Sequence, residues 1–300
     1  MIDHGVTVLL ALLAAVFLAV GIVVRQRATL DVPAEHGIST VMFATLIRRP
    51  LWWAGTAAAL AGFGFQALAL VEGSLLLVQP ILVSALLFAL PLSARWAGRR
   101  VTGAEWGWAV LLTVALAVFV VLAKANPGDY EASLSSSALV AVVCTAAVLA
   151  CVLVATRSVG WRRAVLLAVA VGVLFGVVAV LTKLVMHLLT HEGVGAALST
   201  PVLYLLVVLG VVAVLLQQSA FHAGSLQTSV PTMLVLEPMI AVLLGAVVLG
   251  ENLDVGRWDA LALAVSTAAM VAGTIALGRD EGAYEEALAH PEAETVSRVD

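Results

Sequence analysis

The feature that most constrains this chain is its division into apolar runs long enough to cross a bilayer. A helix rises about 1.5 Å per residue, so about 18–20 consecutive apolar residues span a hydrocarbon core of about 30 Å. Nine such runs are predicted, over roughly 5–24, 51–71, 73–93, 104–123, 136–156, 164–188, 201–220, 229–250 and 258–278. Inside lipid every backbone N–H and C=O must find a protein partner, which makes helices the reading for runs of this length. Composition agrees: 62% of the 300 residues are hydrophobic and 11% charged, too few polar side chains to cover a soluble globule of that size. The expected fold is an all-α integral membrane protein with about nine transmembrane helices.

The charges orient those helices. Residues 279–300 hold seven of the nineteen acids, and are read as a disordered acidic tail following a transmembrane domain over 1–278. Threading the spans puts twelve arginines on one side, among them Arg25, Arg48, Arg99, Arg162 and Arg279, and only Lys124 and Arg257 on the other. That asymmetry predicts an N-terminus outside and a cytoplasmic C-terminus for a multi-pass protein of the plasma (inner) membrane. The first run opens Met1-Ile2-Asp3-His4 without a basic leader and is read as a retained helix. Residues 25–50 are too polar to span; an amphipathic helix on the cytoplasmic interface is expected there, with a re-entrant segment as the alternative. No basic patch suited to nucleic acid is present.

The chain also resembles itself. Leu77-Val78-Gln79-Pro80, followed by an apolar run to Leu92, matches Val235-Leu236-Glu237-Pro238, followed by an apolar run to Gly250. In each copy a short polar loop then leads to a tryptophan-bearing helix start, Glu105-Trp106 and Arg257-Trp258. Four spans lie between the members of each matched pair, so the copies run in opposite directions across the membrane. The expected arrangement is two inverted repeats, 4+1+4: one over about 5–123, a linking helix over about 136–156, and a second repeat over about 164–278.

Polar groups at membrane depth are costly unless they face the bundle interior, so they mark pathways. Those at predicted depth are Glu72, Lys183, Glu237, Gln66, Gln79, Gln217, Gln218, His187 and His222. Gln79-Pro80 and Glu237-Pro238 stand at equivalent places in the two copies. Each proline removes one helical hydrogen bond and frees a carbonyl four residues back, at Leu76 and Leu234. Two broken helices lining a cavity are expected, with Glu237 ionised if paired with Lys183 or a bound cation. Lys183 has two open readings, a pathway group or a side chain snorkelling to the outer interface. It follows Gly172-Val173-Leu174-Phe175-Gly176, a small-xxx-small pattern that permits close helix packing. Glu72 reads as a solvated turn residue, and Glu251, in Leu249-Gly250-Glu251-Asn252, as a helix boundary. His187, His191 and His222 lack a fixed metal-ligand spacing, so no metal is assigned. Cys144 and Cys151 read as small apolar residues, and the tryptophans as interfacial belts. No nucleotide-binding loop, His-Glu-x-x-His or Gly-x-Ser-x-Gly motif occurs. Neither an enzyme nor a cofactor is expected.

Leu51-Trp52-Trp53-x-Gly55, Leu77-Val78-Gln79-Pro80, the glycine-rich helix from Gly176 to Lys183, and the run ending Gly250-Glu251 together resemble the drug/metabolite transporter superfamily. The likeness is greatest to its EamA-like and NIPA-type magnesium transporter members, and it covers nearly the whole chain to residue 278. The first copy departs from the pattern, having Leu92-Ser93 where the second has Gly250-Glu251. The resemblance implies a secondary transporter of a small molecule or cation, with Mg2+ a candidate, working by alternating access through a cavity lined by Gln79, Pro80, Glu237 and Pro238. A homodimer within the lipid bilayer is compatible with it. The competing readings are a non-transporting scaffold or assembly protein and a lipid flippase.

Overall fold

A computed structural model of the chain describes residues 4–30, 48–71, 73–96, 100–123, 125–126, 134–159, 161–222, 226–253 and 255–289. In chain order its helices are α1 (His4–Leu30), α2 (Pro50–Ala69), α3 (Leu75–Leu82), α4 (Ala85–Trp96), α5 (Gly103–Leu122), α6 (Leu134–Thr156), α7 (Trp161–His191), α8 (Val194–Ser199), α9 (Pro201–His222), α10 (Leu226–Val248) and α11 (Arg257–Ala289). Two-residue strands β1 (Ala125–Asn126) and β2 (Asn252–Leu253) follow α5 and α10 and pair antiparallel. Each predicted apolar run overlaps helix, the one over 73–93 being divided between α3 and α4. Among the described residues six segments are long and apolar enough to cross a membrane: 5–24, 75–96, 103–122, 138–156, 162–191 and 257–277. Within α9 and α10 the apolar stretches are shorter, Pro201–Gln217 and Thr232–Val248, and α2, with 20 residues, stands outside both groups.

These helices turn their apolar side chains outward as well as inward. Leu60, Val121, Leu139, Val207 and Leu261 are all more than half exposed. An apolar exterior of this extent suits lipid and not water, so the chain is a membrane-embedded helical protein. Trp53, Trp106 and Trp258 are exposed near helix ends. Helix α6 is peripheral: almost all of its span is exposed, and its main neighbour is α7.

Small residues let the helices meet closely. α1 lies along α2 with Gly21 against Ala59, and α7 lies along α10 with Gly172 against Leu236 and Gly176 against Ile240. The residue numbers rise together along that second seam, so α7 and α10 run parallel. α11 packs on α10 and α5, and α9 on α7. The short helix α3 sits at the centre, with Leu75 through Ile81 all buried against α1, α5, α7 and α10.

Two expectations change here. The span over 75–96 is interrupted just beyond Pro80: at Val83 and Ser84 the amides bond three residues back, to Pro80 O at 3.2 Å and Ile81 O at 3.0 Å, before α4 begins. Its counterpart α10 runs unbroken through Pro238. Thus only the first of the two proline helices is discontinuous. Neighbouring turns carry α10 past the missing amide, as packed membrane helices allow. The acidic segment from residue 279 also begins as helix, because α11 continues to Ala289; residues 290–300, and most of the expected interfacial segment (31–47), lie outside the described residues.

α5 shows how local sequence sets a boundary. Thr102 caps it, accepting from Glu105 N at 3.2 Å, while Glu105 Oε2 accepts from Thr102 N at 2.6 Å. Thr102→Ala should lower stability by about 1 kcal/mol, measured by thermal unfolding in detergent, with no change in helix content away from that turn.

Candidate functional site

Ser74 precedes α3 in extended conformation and is its N-cap, accepting from Leu76 N at 3.0 Å. A helix start leaves amides without internal partners and carries partial positive charge. Into that start comes the carboxylate of Glu251, far away in sequence but fully buried beside it. Oε2 accepts from Ser74 Oγ at 2.6 Å and from Leu76 N at 3.2 Å, and Oε1 accepts from Leu75 N at 3.0 Å. Lys183 supplies the fourth donor: its ammonium is ion-paired with Oε1 and also donates to the carbonyl of Gly73 at 2.9 Å.

The local sequence explains how Glu251 arrives there. α10 ends at Val248, and Gly250 takes φ 69°, a left-handed conformation that costs glycine little. The chain then doubles back so that Glu251 N bonds Gly245 O at 3.1 Å, and β2 is fastened to β1 immediately afterwards. Gly245 provides the room, since a Cβ there would lie 2.9 Å from Glu251 Oε2 and 3.1 Å from Leu75 Cβ. Gly245→Ala should therefore weaken the cluster by about 1–3 kcal/mol through overpacking, read as a lower Tm in detergent.

Lys183 and Glu251 both have side chains with no solvent exposure. Charges this deep persist only when paired and hydrogen-bonded. The snorkelling reading of Lys183 is thereby corrected: its side chain turns inward because a carboxylate and a carbonyl await it. Glu251 is likewise more than a helix boundary. It ties α3 to α7 and to the loop between α10 and α11.

Other predicted residues lie elsewhere. Gln79, one turn and a half along α3, is 1% exposed, and Ser84, at the break, is 2% exposed. Gln79 Nε2 and Ser84 Oγ are buried without a hydrogen-bond partner among the described residues. Pro80 is buried between them. Glu237 is partly buried on α10 and makes no ion pair among the described residues; its amide passes Gly172. Since α7 and α10 are parallel, Glu237 stands about 16 Å along the axis from Lys183, so the two are not brought together. Pro238 is partly buried beside it, Gln66 is buried on α2, and His187 stacks on His191 with ring centroids 4.2 Å apart. Glu72 and the side chains of Gln218 and His222 lie outside the described residues. Among the described residues no group of three or more His, Cys, Asp or Glu side chains could hold a metal ion.

Fold and site together define a membrane-embedded helical protein built around a buried lysine–carboxylate pair at the start of a short central helix. The chain belongs to the same family as the uncharacterized protein Cgl0250/cg0304 of Corynebacterium glutamicum, with which it is 37% identical over 272 residues, covering 91% of this chain and 94% of that one. No family model matches the sequence. No solved structure matches it.

Proposed function

We propose that the chain is a secondary transporter of the drug/metabolite transporter type, moving a small solute by alternating access. The observation that carries this reading is the interrupted span α3–α4, whose buried Gln79 Nε2 and Ser84 Oγ are left without partners among the described residues. Irregular backbone and unsatisfied polar groups at such depth are costly, and membrane proteins retain them where they line a solute path. The reading takes the nine helical segments as nine spans in two inverted repeats, with the N-terminus outside and the Lys183–Glu251 end facing away from the cytoplasm. Its support is a self-similar pattern of packing: α1 meets α2 as α7 meets α9, α1 meets α3 and α4 as α7 meets α10, and the matched helices α3 and α10, and α5 and α11, touch each other.

The site gives less support to Mg2+ than to other solutes. A magnesium ion requires oxygen acceptors. Each oxygen of Glu251 already receives two donors, which fills a carboxylate's capacity.

The test is uptake by proteoliposomes of Mg2+ and of radiolabelled organic cations, anions and neutral metabolites, with Gln79→Leu as the comparison. Saturable uptake of at least one solute is expected, falling at least about tenfold in Gln79→Leu (a loss of about 1.4 kcal/mol or more in transition-state terms). The variant should keep or raise its Tm, because an apolar side chain of similar size removes an unsatisfied buried amide. No uptake by folded protein under any gradient would leave the polar interior as a packing device and favour the scaffold reading.

A further inference from the structure

We propose that the cradle now holding Glu251 is a receptor for the carboxylate of the transported solute, which is therefore a small organic anion that takes the place of Glu251. The inference rests on the transporter reading and names its substrate class. The cradle is made of donors: Ser74 Oγ, the amides of Leu75 and Leu76, and the Lys183 ammonium, two to each oxygen of one planar carboxylate. It combines the positive end of α3 with a fully buried cation, so when Glu251 leaves it an uncompensated positive site remains inside an apolar bundle. Another anion would compensate that charge, and the four-donor geometry fits a carboxylate in particular.

The resident group is carried so that it can leave. Glu251 projects from a loop and not from a helix face, and it follows Gly250, whose backbone reaches conformations closed to other residues. The chain thus holds its own carboxylate as a tethered competitor. A bound solute carboxylate would release α3 from the loop between α10 and α11 and open that end of the bundle. Gln79, whose Nε2 is unpartnered among the described residues, stands about 6 Å further along the same helix, a further donor for an oxygen-bearing solute.

Thermal unfolding in detergent of wild type, Glu251→Gln and Glu251→Ala tests this, with sodium acetate, sodium phosphate, sodium chloride and magnesium chloride titrated at equal ionic strength. Acetate is expected to raise the Tm of Glu251→Ala saturably, recovering at least half of what the substitution loses, and to raise that of Glu251→Gln at higher concentration. Wild type should respond least, because its tethered carboxylate competes at high effective concentration. Chloride and magnesium should do nothing comparable. Should Glu251→Ala not fold, Glu251→Gln decides. It retains one oxygen acceptor but offers an amide to donors, which leaves part of the cradle open to acetate. A phosphate response exceeding that of acetate overturns the carboxylate assignment in favour of inorganic phosphate, and equal responses to all salts overturn the receptor altogether. The readout needs no flux, so its failure leaves transport standing. Acetate rescue together with absent uptake would instead sink the transporter reading.

Discussion

Lys183→Met is expected to destabilise the folded chain by about 3–5 kcal/mol, the cost of leaving a buried carboxylate without its cation. The methionine stem fills nearly the same volume, so little of the loss comes from packing. What remains is Glu251, fully buried, held by Ser74 Oγ and two amides but with no ammonium beside Oε1. Glu251→Gln should cost less, because an amide retains one acceptor for the Leu75 amide or the Lys183 ammonium. The informative quantity is the coupling between the two. Lys183→Met combined with Glu251→Gln should be less destabilised than the sum of the single changes by about 1–3 kcal/mol, since the pair then leaves together. Unfolding of all four proteins in one detergent measures it. Additive losses would mean that the ammonium and the carboxylate, though adjacent, do not depend on each other, and the account of the cluster as one unit would fail.

The membrane-spanning character was legible because it is written in long apolar runs, and bilayer thickness converts run length directly into helices. The discontinuity near Pro80 was legible from that proline, whereas the one expected near Pro238 is not present. Proline removes the same hydrogen bond at Pro80 and Pro238, but whether the helix then breaks depends on the neighbours, and α10 lies along α7 through Gly172 and Gly176. The central pair was missed because its members are 68 residues apart, and Glu251 stands 177 residues from Ser74. A signal existed nonetheless. Threading the spans put Gly73, the upper part of the Lys183 helix and Glu251 at one end of the bundle. Ser74 before Leu75-Leu76 is a serviceable N-cap, and a lysine with apolar residues on either side calls for a carboxylate. Glu237 was open to pairing with Lys183 or with a bound cation, but two parallel helices fix depth by residue number, and Glu237 and Lys183 are separated by about three turns.

Gly172→Ala and Gly176→Ala are expected to open the α7–α10 seam, each lowering stability by about 1–3 kcal/mol, and the pattern of rescue should differ between them. At Gly172 an added Cβ would lie 2.6 Å from Leu236 Cβ, an atom fixed to the backbone, and 3.4 Å from Glu237 N. Truncating Leu236 to alanine leaves that Cβ in place, so Leu236→Ala should not rescue Gly172→Ala. At Gly176 the nearest atom is Ile240 Cγ2 at 2.6 Å, with Cβ at 2.8 Å behind it. Ile240→Ala removes the first of these and should recover part of the loss. Gly210, on α9, supplies the control: nothing lies within 4 Å of a Cβ built there. Gly210→Ala should leave stability unchanged or raise it by up to about 1 kcal/mol, as a helix-interior glycine does on gaining a methyl. Because the seam sets the depth of Glu237 relative to Lys183, a shift along it also moves the loop that carries Glu251. Gly176→Ala should therefore weaken the coupling measured between Lys183 and Glu251, while Gly210→Ala should not. Equal coupling in both backgrounds would show that the cluster is positioned by β1 and β2 alone, independently of how α7 and α10 meet.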